Sequence, residues 1–208
     1  MKKNAVEFFY AALGGMMIGV GGTVFLSNEN RVIGSLLFSI GLIVILHFGF
    51  RLYTGMIGYL VNNRPDYLLN CLWVWAGNLL GTFLLGTALR YTRTGEALAQ
   101  KAVPICQAKL NDNLLSIFIL ALLCGMLMYI AVESYKNVPH SAGKYLGVIM
   151  CVSVFILCGF EHCVANMFYF SLARLWNLQT FLYTFVMTLG NTAGAMLIAF
   201  GVKLKTLG

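Results

Sequence analysis

Long apolar runs without a charged residue dominate the sequence. A membrane-spanning helix needs about 20 such residues, and four of the runs are long enough alone. The other four pair up around a single charge, Arg51 in one pair and Glu161 in the other. The pattern predicts an all-α membrane protein with six transmembrane helices, of which the second and fifth are interrupted. The runs are 8–28, 32–50, 52–63, 67–89, 113–132, 145–160, 162–173 and 175–202.

The two halves of the chain resemble each other in sequence. A shift of 110 positions places Gly49-Phe50-Arg51 on Gly159-Phe160-Glu161, and a shift of 113 places Gly77-Asn78 on Gly190-Asn191. Three crossings per half reverse the chain, so the halves would form two inverted repeats. Such repeats, each with a discontinuous helix, build midplane sites in transporters. We expect one transmembrane domain, 1–208, with repeats at about 5–90 and about 113–203.

Composition supports the membrane prediction and excludes nucleic acid as a partner. Hydrophobic residues make up 60% of the chain, charged residues 10%, and the mean hydropathy is +0.82. Soluble domains carry about 25% charged residues. The net charge of +7 suits lipid headgroups or an anion-attracting vestibule, but no basic run is longer than two residues. The six cysteines form no C-x-x-C pair, so we expect packing roles, no metal and no cofactor.

The stretch 159–167 is the strongest candidate for a functional site. It places Glu161, His162 and Asn166 inside a long apolar region, where each polar group costs free energy unless it is paired or faces a wet cavity. Such residues therefore indicate function, although a buried imidazole could also satisfy a carbonyl of a broken helix. The role of Arg51 at the other interruption is open. It could line a pore, pair with Glu161, or pair with Glu7.

Three motifs resemble those of the formate/nitrite transporter family. Gly159-Phe160-Glu161-His162-x-Val164-Ala165-Asn166-Met167-Phe168 is similar to its long signature. Leu52-Tyr53-Thr54-Gly55 resembles its Leu-Phe-Thr loop, and Gly190-Asn191-x-x-Gly194 its motif in span six. The resemblance implies an aquaporin-like protomer in a homopentamer, multi-pass in the cell (inner or plasma) membrane, with both termini cytoplasmic. It implies a channel or transporter, not an enzyme, for formate, nitrite, hydrosulfide or similar small monovalent anions.

The resemblance also implies roles for individual residues. His162 becomes the central histidine, Thr54 its partner across the pore, Asn191 a lining group and Lys144 the vestibule cation. Two departures stand out, because the family commonly has an acidic residue where Arg51 lies and a lysine where Glu7 lies. The hydrophobic constrictions implied by the family are Phe38, Leu52, Tyr53, Phe155 and Phe160.

The predicted mechanism depends on one histidine between apolar rings. An anion crossing such rings faces a large desolvation penalty, whereas a neutral weak acid does not. With an ordinary pKa of about 6.5, His162 can give a proton or a hydrogen bond to the anion, so we expect proton coupling through this histidine. Glu161 is expected to pair with Lys144 or Arg51. The rival functions are a haem-anchoring or electron-transfer subunit with His47 and His162 as ligands, and a non-transporting anion sensor on the same fold.

Overall fold

The regular secondary structure that the computed structural model describes is entirely helical. It covers residues 2–207, with the side chains of 4–205; Met1 and Gly208 lie outside the described residues. The all-helical prediction is confirmed over this range. The helices are α1 Lys2–Ser27, α2 Arg31–Phe38, α3 Ile40–Phe48, α4 Tyr53–Met56, a 3-10 helix Ile57–Asn62, α5 Tyr67–Leu89, α6 Gly95–Leu110, α7 Leu114–Asn137, α8 Ser141–Leu157, α9 Cys163–Ala173 and α10 Leu178–Leu207.

Five helical stretches are long and apolar enough to cross a membrane. They are Asn4–Ser27, Arg31–Phe48, Tyr67–Leu89, Leu114–Asn137 and Leu178–Lys205. Two further apolar helices are shorter, Ser141–Leu157 and Cys163–Ala173. These are α8 and α9, which the five residues 158–162 separate. The polar segment after α5 forms a helix of its own, α6, which contains Pro104 and packs on α9.

Close backbone contact joins α1 to α5 and, in the same way, α7 to α10. A Cβ atom on Gly81 of α5 would overlap the carbonyl oxygen of Ala12, and one on Gly194 of α10 would overlap that of Leu122. Small residues let helix backbones approach this closely, as is common in membrane helix pairs. The contact therefore occurs twice, once in each half of the sequence.

The short helix that follows each interruption packs into the opposite half of the chain. In the first half, α4 packs on α7, and the 3-10 helix packs on α10. In the second half, α9 packs on α5 and α1. Each half of the described chain therefore contributes to the packing of the other.

Candidate functional site

Both helix breaks have the same backbone geometry. The first half-helix ends at Gly49 with φ 70° and the second at Gly159 with φ 69°, the left-handed conformation that glycine adopts without strain. In each case the next amide bonds back into the helix: Phe50 N–H donates to Ile45 O at 2.9 Å, and Phe160 N–H to Phe155 O at 2.8 Å. The chain then runs extended before helix resumes after Leu52 or His162.

One asparagine clamps each extended segment. Asn191 Oδ1 accepts from Cys163 N–H at 2.9 Å, while its Nδ2 donates to Ala121 O and Glu161 O at 2.7 and 2.8 Å. Asn191 is fully buried and its amide is occupied by these three bonds. Its implied role as a pore-lining group is therefore wrong: it satisfies the backbone groups that the broken helix leaves without partners.

Asn78 repeats this clamp in the first half. Its Oδ1 accepts from Tyr53 N–H at 2.9 Å, and its Nδ2 donates to Ala11 O and Arg51 O at 2.7 and 2.8 Å. The Gly-Asn similarity between 77–78 and 190–191 thus corresponds to a shared structural task. Sequence similarity alone found the pair, but the chemistry of the amides required the tertiary structure.

His162 lies between the two halves and contacts both. Its Nε2 is 2.8 Å from Thr54 Oγ1 across the interface, and its Nδ1 accepts from Ala165 N–H at 3.0 Å. A backbone amide can only donate, so Nδ1 carries a lone pair, the ring is neutral, and the proton is on Nε2. His162 is 2% exposed and Thr54 1% exposed. The structure thus brings together the two residues that the motifs paired, with Nε2–H donating to Thr54.

A pair of aromatic rings packs against the imidazole. Phe155 stacks on His162 with centroids 5.6 Å apart, and Phe38 meets Phe155 edge-on at 5.8 Å. Leu52 is buried beside Thr54. Tyr53 is buried, and its hydroxyl is 2.8 Å from Thr192 Oγ1; its place in a constriction stays a prediction. This contact joins the Tyr53 ring to α10.

A cavity of about 610 Å³ opens on one side of the imidazole, next to the segment 159–162. Phe155, Phe160 and His162 line it, so these predicted residues share one space. It is also lined by two cations, Arg31 and Lys109, and two carboxylates, Asp112 and Glu161. Arg31 Nη2 donates to the last carbonyls of α8, those of Ile156 and Leu157, at 3.3 Å each.

Lys109, not Lys144 or Arg51, pairs with Glu161. Its Nζ is 2.7 Å from Glu161 Oε2, and Asn166 Nδ2 donates to the same oxygen at 2.6 Å. Glu161 and Asn166 were predicted site residues, and the structure brings them into one network. Lys144 is half-buried near the start of α8 and lines neither cavity; its role as the vestibule cation stays a prediction.

The sequence contained a signal for Lys109 that the motif comparison missed. On α6 the buried positions follow a helical spacing of three and four residues, and Lys109 continues it. A cation on the packed face of an amphipathic helix needs a buried partner, and here that partner is Glu161. The buried positions of α6 are Gly95, Leu98, Ala99, Ala102 and Cys106.

A second cavity, of about 130 Å³, lies next to the segment 49–52 and is lined by Leu52. Leu42, Phe50, Arg51 and Lys136 also line it. Arg51 pairs with Glu7 through two bonds, Nε–Oε2 at 2.7 Å and Nη2–Oε1 at 3.1 Å. Of the three roles open for Arg51, pairing with Glu161 is excluded and pairing with Glu7 is observed; lining a pore stays a prediction.

The positions of His47 and His162 do not support the haem-anchoring alternative. Both ring nitrogens of His162 are engaged in hydrogen bonds, and His47 is exposed, edge-on to Phe48. Axial haem ligation needs two facing histidines with free nitrogens. The described residues also contain no cluster of three or more His, Cys, Asp or Glu side chains that could hold a metal ion.

Apolar helices of membrane-spanning length around a buried histidine and a cavity with charged walls are typical of channels and transporters. Comparison with known proteins gives the family. The sequence model described as "Formate/nitrite transporter" matches residues 2–204, so the chain belongs to the formate/nitrite transporter family, as the motifs indicated. The named relatives are channels and transporters, and the chain is not an enzyme.

Individual relatives match at moderate identity. The chain is 28% identical over 149 residues to formate channel FocA of Haemophilus influenzae, covering 67% of this chain and 52% of that protein. It is 30% identical over 150 residues to the uncharacterized transporter YrhG of Bacillus subtilis, covering 67% and 56%. Nitrite transporter NirC of Escherichia coli is 26% identical over 218 residues, covering 95% and 80%. The chain thus spans about half the length of the first two.

Two solved structures share the fold. A pentameric formate channel with formate bound gives a TM-score of 0.79 at 24% identity, covering 100% of this chain and 99% of that one. An FNT family ion channel gives 0.82 at 22% identity, covering 96% and 90%. The described helices therefore have the arrangement found in channels of this family.

Proposed function

We propose that this protein is a passage for small monovalent anions of weak acids, such as formate, nitrite or hydrosulfide, across the cell membrane. The observation that carries the proposal is the His162–Thr54 hydrogen bond of 2.8 Å at the point where both helix breaks meet, between two cavities. In this proposal the chain crosses the membrane six times in two inverted repeats. The matched Asn78 and Asn191 clamps and the matched Gly49 and Gly159 ends support the repeat.

An anion that enters from the side of the segment 159–162 first reaches the larger cavity. Its cations, Arg31 and Lys109, offer positive charge to an entering anion, and Asp112 and Glu161 balance that charge. Glu161 holds Lys109 in place and offsets part of its charge, so an anion is attracted without being trapped. Asn166, which donates to the same carboxylate, fixes that pair relative to α9.

The barrier is the apolar segment around the imidazole. Phe38, Phe155 and Leu52 are each less than 5% exposed, and a bare anion among such side chains carries a large desolvation cost. We infer that neutral His162 lowers this barrier by donating Nε2–H, with Thr54 as the exchange partner when no substrate is present. Protonating the ring would require Nδ1 to lose its bond from Ala165 N–H. A proton that accompanies the substrate then comes from water in the larger cavity.

Assembly and orientation follow from the family by analogy. We propose a homopentamer with one passage per protomer and both termini cytoplasmic. The exposed apolar residues of α2, α5, α8 and α10 supply surface for neighbouring protomers and for lipid. The substrate is a small monovalent anion or its neutral acid.

Flux through proteoliposomes tests the function and the role of His162. Wild type should pass formate and nitrite between pH 5 and 8. In His162→Asn, Oδ1 can still accept from Ala165 N–H, since Asn is a favourable N-cap, and the amide keeps an N–H donor at this position, although the shorter side chain does not reach Thr54. That variant should therefore keep flux within about tenfold, whereas His162→Leu should lose about 10- to 100-fold, the value of a hydrogen bond to a charged group.

Thr54 offers a matched control in the other half. Thr54→Val removes the hydrogen-bond partner and should lower flux, whereas Val164→Thr, at the equivalent position of the second break, should not. If the His162→Leu variant passed the anions at the wild-type rate, the role of the histidine would be contradicted. A pH profile that shifts in His162→Asn would favour proton transfer through the ring. Anion binding without flux in wild type would instead favour the sensor.

A further inference from the structure

Tyr169 is a buried tyrosine whose hydroxyl has no hydrogen-bond partner within the described part of the chain. It lies toward the C-terminal end of α9, is 6% exposed and packs on Phe168 with ring centroids 5.6 Å apart. Buried tyrosine hydroxyls usually bond to a protein group, as those of Tyr53 and Tyr183 do here. The unused O–H of Tyr169 therefore needs an explanation.

The oxygen of this hydroxyl reaches an open space. Among the described residues, two buried side-chain atoms are fully enclosed without a partner, Arg90 Nε and Ser153 Oγ. The Tyr169 oxygen also lacks a partner but is not enclosed in this way, and the space that the residue lines is the larger cavity. The wall of that cavity thus carries a hydrogen-bond donor that no protein group uses.

Helical spacing places Tyr169 on the same wall as the central histidine. His162, Asn166 and Tyr169 follow each other at intervals of four and three residues, which is the spacing of one helix face, and all three line the larger cavity. Seven positions at about 1.5 Å each amount to about 10 Å along the helix axis. Tyr169 is therefore a separate contact point, farther from the helix break than the imidazole.

The charges on the cavity wall leave a role for a neutral donor. Its two cations are matched in number by two carboxylates, and one pair, Lys109 with Glu161, is 2.7 Å apart. Balanced charges attract an anion only weakly. A phenolic O–H adds a directional bond that is strong to a charged oxygen, whereas sulfur is a weak acceptor.

We propose that Tyr169 determines the specificity of the passage by donating its O–H to an oxygen of the substrate in the larger cavity. The substrate class is then a small oxyanion such as formate or nitrite, rather than hydrosulfide. The volume of about 610 Å³ equals about twenty water molecules at ~30 Å³ each, so the anion stays hydrated while it contacts Tyr169. This inference rests on the proposed anion passage and narrows its substrate.

Flux of the Tyr169→Phe variant in proteoliposomes tests the specificity, because the substitution removes one oxygen and keeps the ring. The half-saturation concentrations of formate and nitrite should rise about tenfold, the lower end of the value of a hydrogen bond to a charged group. That of hydrosulfide should change by less than about twofold, since sulfur accepts weakly. Tyr169→Met, whose flexible apolar side chain fills similar space, should repeat this pattern. The matched control is Tyr129→Phe, which should behave as wild type, because Tyr129 is also buried but lines neither cavity.

Binding in detergent separates a failure of this hydrogen bond from a failure of the passage. Broadening of the ¹³C-formate NMR signal by wild-type protein should be several-fold stronger than by Tyr169→Phe. Unchanged broadening, or equal losses for formate and hydrosulfide, would overturn the role of Tyr169 and leave the passage intact. Wild-type protein that binds formate through Tyr169 but passes none would keep the hydrogen bond and refute the passage.

Discussion

At the first helix break the chain reads Arg51-Leu52-Tyr53-Thr54, and at the second, 110 positions later, Glu161-His162-Cys163-Val164. The backbone is the same at both, with a left-handed glycine, an extended segment and an asparagine clamp. The side chains differ at every position. His162 corresponds to Leu52, and the cation Arg51 corresponds to the anion Glu161.

This difference shows how a symmetric scaffold holds an asymmetric site. Glycine and asparagine recur because the backbone requires them in both halves. The chemistry requires one imidazole and one hydroxyl facing each other, so His162 comes from one half and Thr54 from the other. The charged residues beside them find separate partners, Lys109 for Glu161 and Glu7 for Arg51.

The largest expected effect is on the clamps. Asn191→Leu would leave Cys163 N–H and Glu161 O buried without partners, at about 1–3 kcal/mol each. We expect the variant to lose the folded state, measured by gel filtration and thermal unfolding in detergent. Asn78→Leu should behave alike, because its three bonds are equivalent. A folded Asn191→Leu protein with a wild-type melting temperature would contradict the clamp.

An intermediate effect is expected from the two acidic partners. Glu161→Gln would leave Lys109 as a nearly buried cation without its counter-charge, at a cost of about 3–5 kcal/mol. Glu7→Gln should cost about 0–1 kcal/mol, because the Arg51 side chain is 38% exposed and reaches water. Thermal unfolding of both variants measures the difference. Equal melting temperatures would mean that burial does not distinguish the two pairs.

The smallest effect is expected at an exposed pair on the rim, Glu29 with Lys101. The hydrogen bond and charge of Lys101 lower the pKa of Glu29 below its ordinary value. A lowered pKa means that the pair stabilises the fold above the ordinary carboxyl range and that this contribution disappears as the pH falls through the lowered pKa. Lys101→Gln should return the Glu29 pKa toward its ordinary value in an NMR titration, with no measurable change in melting temperature. An unchanged Glu29 titration would refute the pairing.

Most of the helices and the central imidazole could be predicted from the sequence, because both depend on local patterns. Charge-free runs mark helices, and the paired shifts of 110 and 113 located both clamps without revealing their task. The partner expected for Glu161 and the role given to Asn191 failed for a shared reason. Motif spacing fixes where a residue lies along its helix but not which neighbour, cavity or backbone group its side chain meets.

The sequence by itself determined the apolar helices, the glycines that end two of them and the polar residues placed among apolar ones. These follow from solvation and backbone sterics, which act within a few residues of chain. Only the tertiary structure decided that Lys109 faces Glu161, that Glu7 faces Arg51 and that Thr54 reaches His162 from the other half. Those pairings join residues 44 to 108 positions apart, and the packing of α6, α1 and α4 brings them together.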